Sequence, residues 1–205
     1  MLSFQTITPD TLELLQRLTA EPGLSPFRLV GGTALALQYG HRNSVDLDFF
    51  TTAPLQHDLL LQLSHKIGQC SILNSSPRIL QLIINNIKVD FVSYAPYDWI
   101  DNPVIHNNLV LASDKDIAAM KVNAVIGRGT KKDFVDIYAL LQHYSLPQIL
   151  DFYRSKYPDF SDYRALLSLT YFEDAEMQPM PQMFIPDTWE MMKNTIIAGV
   201  KKAQM

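Results

Sequence analysis

FRLVGGTALALQYGHRNSVDLDFF, residues 27–50, is the stretch on which the fold turns. Phe27-Arg28-Leu29-Val30 is a short apolar run suited to a buried strand. It breaks at Gly31-Gly32, after which TALALQYG reads as a short helix closed by Gly40. Val45 to Phe50 then alternates apolar and acidic residues. A period of two puts Asp46 and Asp48 on the same side of a strand.

Each part has a chemical reason. Glycines between a strand and a helix N-terminus let the backbone approach a phosphate, with unpaired N–H groups and the positive dipole end facing it. Two carboxylates at i and i+2 on one strand face can share a hard divalent cation. Mg²⁺ prefers such oxygen ligands and completes its shell with water and substrate phosphates. Asp90 sits in the middle of the β-branched run Ile87 to Tyr94, where a third carboxylate could complete a second metal site. Two cations about 3.5–4 Å apart activate an attacking oxygen and steady a leaving pyrophosphate. A Gly-Gly pair alone is usually a turn, and an Asp-x-Asp alone usually faces solvent; their order in one short stretch is what carries the reading.

Outward from this stretch, Thr8-Pro9-Asp10 starts a helix, and Leu12, Leu15 and Leu18 recur until Pro22-Gly23 stops them. A further helix is expected from Pro54 to Ile67. Ile79 to Ile84 and Ile87 to Tyr94 form two strands joined at Asn85-Asn86, residues that tolerate the positive φ of a tight hairpin. From Ser113 the pattern turns helical, with Ser113-x-x-Asp116 as a capping box. Helices are expected over Lys131 to Tyr144, Pro147 to Tyr157, Ser161 to about Phe172 and Asp187 to Lys201, with the Pro-rich stretch Gln178 to Pro186 as a loop. The fold class is α+β: a mixed sheet with flanking helices over residues 1–110, then a helical region over 111–205, divided somewhere between Pro96 and Ser113.

The chain of 205 residues is 47% hydrophobic and 19% charged, enough to bury a sizeable core. Its net charge of -4 argues against a surface coated in positive charge for nucleic acid. Lys115, Lys121, Arg128, Lys131 and Lys132 nevertheless concentrate basic charge in one segment, a candidate RNA-binding patch. No apolar run approaches the ~20 residues of a membrane span, and no secretory signal opens the chain, so the expected address is the cytoplasm. Cys70 is alone and is expected to be a small buried hydrophobe. The histidines show no metal-ligand spacing. Phe134, Ile137, Tyr138 and Leu141 read as core.

Two separate blocks resemble the AbiEii/AbiGii-type nucleotidyltransferase toxins, a branch of the DNA polymerase β-like superfamily. The first is residues 27–50, with Gly31-Gly32, His41-Arg42-x-Ser44 and Asp46-Leu47-Asp48, joined by Asp90. The second is DIAAMKVNAVIGRGTKKDFVDIYALL, Asp116 to Leu141. The resemblance covers roughly residues 27–145 and implies a polymerase β-like core. It implies that Asp46, Asp48 and Asp90 bind Mg²⁺, with Mn²⁺ as the alternative, and act catalytically with Lys121 and Asp136. Gly31, Gly32, Thr33, Arg42, Ser44 and Lys121 would hold the nucleoside triphosphate. Arg42 is a phosphate clamp or the partner of a nearby carboxylate, Ser44 a hydrogen-bond donor to a phosphate or a strand cap, and Asp133 is expected to pair with Lys131 or Lys132. The family further implies the toxin of a two-gene toxin–antitoxin or phage-defence system, with a cognate antitoxin, adding nucleotides to a tRNA 3′ end. Many members are longer at the C-terminus, which bears on the nucleic-acid substrate more than on the nucleotide site. Three other readings stand beside it: a protein NMPylating enzyme, an inactive nucleotide- or antitoxin-binding module, and a glycosyltransferase using Asp-x-Asp for a nucleotide-sugar.

Overall fold

The computed structural model describes residues 1–204. Helix α1 (Pro9–Thr19) starts on the Thr8 side chain, which accepts from the Thr11 amide. Strand β1 (Arg28–Val30) runs straight into α2 (Gly31–Tyr39), and Gly40, at φ 69°, closes that helix. Strand β2 (Leu47–Thr51) returns antiparallel to β1, and α3 (His57–Ile67) packs against α1. Strands β3 (Cys70–Ser76), β4 (Ile79–Ile84) and β5 (Ile87–Ser93) follow as a meander. Asn85 and Asn86, at φ 50° and 66°, form the expected hairpin turn.

Strands β6 (Val104–His106) and β7 (Leu109–Leu111) make a second hairpin. The mixed sheet runs β3-β4-β5-β2-β1-β7-β6. The β2–β5 pairing is parallel and sets Asp48 opposite Asp90. That register places two chemistry-bearing residues, far apart in sequence, side by side at the middle of the sheet.

The rest is helical: α4 (Asp114–Gly127), α5 (Lys131–Leu141), α6 (Leu146–Lys156), α7 (Asp162–Leu169), the single turn α8 (Glu173–Glu176) and α9 (Trp189–Ala203). Ser113 caps α4 by accepting from the Asp116 amide. The Asp116 carboxylate accepts from the Ser113 hydroxyl, the Ile100 amide and Lys156 Nζ, the last at 2.8 Å. This fully buried pair fastens α6 to α4, the helix that carries Lys121. Alternation in β2 sends Leu47 and Phe49 into the core, where Phe49 stacks on Phe91, while Asp48 and Phe50 face the cleft described below. The core is continuous from Leu14 and Leu18 of α1 to Ile196 and Val200 of α9, and it takes in Phe134 and Ile137.

The α+β architecture stands as read from the sequence, with additions. The spacing shows neither β3 nor the β6–β7 hairpin. β3 is an edge strand whose exposed Ser, Asn and Ser residues break the apolar signal. The expectation for Cys70 is corrected: it heads this edge strand and is only partly buried. Helix α3 starts at His57 rather than Pro54, and the helix expected to about Phe172 ends at Leu169. No helix of the described residues is long and apolar enough to cross a membrane.

Candidate active site

A cleft of about 440 Å³ opens where α2, β2, β5 and α4 converge, and Gly31, Gly32, Arg42, Ser44, Asp46, Asp48, Asp90 and Lys121 all line it. Its floor is carboxylate. Asp48 and Asp90 are register partners. Asp90 Oδ2 accepts from Lys88 Nζ at 2.7 Å and Gln81 Nε2 at 2.8 Å, while its Oδ1 is buried with no partner. Burial, and then the charge of Asp90, push the Asp48 carboxyl up to about 6. Asp46, just ahead of β2, has Lys132 Nζ 3.8 Å from its Oδ2.

Among the described residues no three acidic or imidazole groups are gathered into one ready ligand shell. The donor set still fits a hard divalent cation: two carboxylates crowd together across β2 and β5, and one oxygen is buried with its lone pairs unused.

The wall above the carboxylates is the start of α2. Gly31 holds φ 70°, and a Cβ there would run into the Asp48 carboxylate. A Cβ on Gly32 would strike the Arg42 guanidinium. Both glycines therefore answer to packing at the cleft as well as to backbone approach. Gly31→Ala is expected to cost about 1–2 kcal/mol from the left-handed backbone alone. It should also displace Asp48, lowering transfer at least tenfold. Thermal melts and transfer assays on the same preparation check both.

Arg42 and Lys121 rest on two carboxylates that do not line the cleft. Asp136 is fully buried. It accepts from Arg42 Nε and Nη2, both at 2.7 Å, from His41 Nε2 at 2.8 Å, and pairs with Lys121 Nζ at 2.6 Å. Asp133, also fully buried, accepts from Lys121 Nζ at 3.1 Å and from Arg128 Nε and Nη2 at 2.9 and 3.0 Å. The pairing expected for Asp133 is thus corrected: its partners are Lys121 and Arg128, because α5 turns it toward α4 and into the core. Asp136 stands behind Arg42 and Lys121, where it positions them. Thr33 is likewise buried beneath the cleft, its hydroxyl donating to the Asp46 carbonyl and hydrogen-bonded with Ser44 Oγ at 2.8 Å. It fixes the loop that carries the acids.

The cationic neighbours hold the Asp133 and Asp136 carboxyls well below the usual carboxylate range, against the opposing effect of burial. Depressed values stabilise the fold above the unfolded carboxylate pKa of about 3.9, and that contribution is lost as pH falls below it. These two groups therefore add nothing to the pH dependence of the melting temperature between pH 8 and 5. A steep fall is expected below about pH 4, read by circular dichroism, and it should shrink in Asp133→Asn.

The loop carrying Arg42 is held from outside as well. The Phe184 amide donates to the His41 carbonyl and the Asn43 amide to the Gln182 carbonyl, each at 2.9 Å, making a one-residue bridge between Arg42 and Met183. The Pro-rich stretch is thus a strap along the cleft wall, a role that its composition does not announce. Phe184→Pro deletes one of these donors. It is expected to raise KM for the triphosphate several-fold while changing kcat less, as steady-state kinetics will show.

The expected basic patch is corrected too. Lys121 is buried among Asp133 and Asp136, and Lys131 is buried with its Nζ on the Glu176 carbonyl. Lys115 pairs with Asp101 away from the cleft. Of that segment Lys121, Arg128 and Lys132 line the cleft, and of these Arg128 and Lys132 are the exposed ones. A helix presents its residues on all faces, so a linear cluster of basic residues need not make a surface. Sequence reasoning also missed Lys88 and Gln81 as partners of Asp90; their alternation along β4 and β5 was the available signal.

Residues 13–204 match the family described as nucleotidyl transferase AbiEii toxin, type IV TA system. An uncharacterized protein of Aquifex aeolicus is 33% identical over 196 residues, covering 93% of this chain and 94% of its own. Among solved structures, JHP933 from Helicobacter pylori superposes with a TM-score of 0.59 at 21% identity, over 100% of this chain and 95% of that one. MenT4, a nucleotidyltransferase toxin from Mycobacterium tuberculosis, gives 0.55 at 15% identity, over 95% and 86%. At such identities the structural likeness speaks for the fold. With the family match spanning nearly the whole chain, this protein belongs to the AbiEii nucleotidyltransferase toxin family.

Proposed function

We propose that the chain transfers a nucleoside monophosphate from a nucleoside triphosphate to the 3′-terminal hydroxyl of an RNA, with tRNA as the acceptor class, using a divalent cation. It would act as the toxin of a two-gene toxin–antitoxin or phage-defence system, restrained by a cognate antitoxin in the cytoplasm. The observation that carries this reading is the Asp48–Asp90 pair, with its unpartnered buried oxygen, set under the amide-bearing start of α2.

Asp46, Asp48 and Asp90 would hold Mg²⁺ or Mn²⁺, which when bound neutralises triphosphate charge and lowers the pKa of a ligated hydroxyl. The chain's own residues do the rest. The first amides of α2, at Gly31 and Gly32, would donate to the phosphate tail at the positive end of the helix dipole. Arg42 and Lys121, clamped by Asp136 and Asp133, present fixed positive charge that needs no reorganisation during reaction. Asp90, with Lys88 on one oxygen and the other unpartnered, would take the acceptor's proton as the new P–O bond forms and pyrophosphate leaves. Ser44, held by Thr33, adds a hydroxyl at the cleft wall.

The test is purified protein with Mg²⁺, each α-labelled NTP in turn, and total tRNA, beside an Asp46→Ala/Asp48→Ala variant. Label entering RNA only with the wild type bears the proposal out and names the nucleotide. Label on protein would move the acceptor, and NTP binding without label anywhere would favour a binding module.

A further inference from the structure

A second cleft adjoins the first and shares Gly127 and Arg128 with it. Its other walls are Val125, Ile126 and Gly129 from the end of α4, and Leu167, Ser168, Thr170, Tyr171 and Asp174 around α7 and α8. Its features complement one another. Arg128 has Nε and Nη2 on Asp133, so the plane of its guanidinium is fixed. Nη1 has no protein partner among the described residues, and the side chain is 58% exposed. Gly127 has no heavy atom within 4 Å of where a Cβ would stand, leaving the passage between the clefts open. On the far side Tyr171 stands 52% exposed, an aromatic ring that the fold does not bury.

We infer that this second cleft seats the acceptor RNA next to its reacting end: Arg128 on a backbone phosphate at the junction of the clefts, Tyr171 stacked on an unpaired base. The inference rests on the RNA-acceptor reading above. An acceptor hydroxyl must reach into the carboxylate cleft, so the strand bearing it must leave by a neighbouring opening, and this cleft shares two wall residues with that site. Single-stranded nucleic acid is held by cations along its backbone and by aromatic faces under its bases, and this cleft offers one of each. The Asp174 carboxylate on the wall and Glu173 beside it disfavour phosphate at the Tyr171 end. They leave that end to a base, and Asp174 can accept from an exocyclic amine. Arg128 thereby has two duties: its fork holds Asp133 and its free edge meets the acceptor.

The experiment uses the full chain and a 5′-fluorescein single-stranded oligoribonucleotide with a free 3′ hydroxyl, followed by fluorescence anisotropy. NTP binding is measured separately by calorimetry, and label transfer to total tRNA is assayed in parallel. Tyr171→Ala is expected to weaken oligonucleotide binding and raise KM for tRNA by about tenfold, in keeping with the loss of one stacked base. Tyr171→Phe, which keeps the ring, should stay within about twofold of wild type, and NTP binding should be unchanged in both. Because Tyr171 is exposed, the unchanged NTP affinity also certifies the fold. Wild-type RNA transfer with Tyr171→Ala binding and reacting as wild type does would overturn the seat while leaving the reaction intact. Wild-type label appearing on protein, with no RNA bound, would overturn both.

Discussion

Asp48→Asn is expected to abolish transfer and at the same time raise the melting temperature. The loss follows from its place on the cleft floor, beside Asp90 and under Gly31. Removing one preorganised electrostatic group from a transfer site costs roughly 10²–10³-fold, and a group that also serves as a cation ligand should cost at least that. The gain follows from the same geometry. Burial and the Asp90 charge push the Asp48 carboxyl up to about 6, so at neutral pH the fold holds an anion where it disfavours one. Asparagine keeps the shape without the charge. A relief of about 1 kcal/mol would lift Tm by about 2–4 °C in a chain of this size. Calorimetry at pH 7.5 without added divalent cation reads the gain, and label transfer reads the loss. A variant that is less stable as well as inactive would mean that Asp48 is structural.

Asp136→Ala should move both quantities down. Asp136 is the shared partner of His41, Arg42 and Lys121, all of them buried. Deleting one member of a buried ion network leaves uncompensated charge, at a cost of about 3–5 kcal/mol. That corresponds to roughly 10 °C in Tm. Triphosphate affinity should fall as well, because Arg42 and Lys121 lose the anchor that orients them toward the cleft. Lowering the assay temperature until the variant is fully folded separates the two effects: a positioning residue leaves a binding defect at that temperature, whereas a purely structural one does not. The opposite signs of the Tm changes at Asp48 and Asp136 distinguish a carboxylate kept for chemistry from one that stabilises the cleft wall.

The legible part of this protein was the part with local grammar. Val30-Gly31-Gly32 reads as strand into helix, and the alternation after Asp46 reads as a strand, because both patterns are set by neighbours in sequence; β2 itself begins at Leu47, one residue after Asp46, yet both carboxylates line the cleft. The Asn85-Asn86 hairpin was legible for the same reason, since few residues accept two successive positive φ values. What stayed hidden was decided by tertiary placement. Asp133 and Asp136 are three apart on one helix, and only the crossing of α5 over α4 and α2 shows that both are buried as counter-ions. The basic segment looked like a surface until the helix turned Lys121 and Lys131 inward. The strap over residues 182–184 has no residue pattern at all: two backbone hydrogen bonds define it, and any side chain can supply those.

The most direct measurement compares intact tRNA with periodate-oxidised tRNA, whose terminal diol is destroyed, using α-labelled NTP and wild-type enzyme. Label entering intact tRNA, absent from oxidised tRNA and absent with Asp46→Ala/Asp48→Ala, is the predicted result. Equal labelling of both RNAs, or label found on protein alone, would contradict transfer to an RNA 3′ hydroxyl at this site.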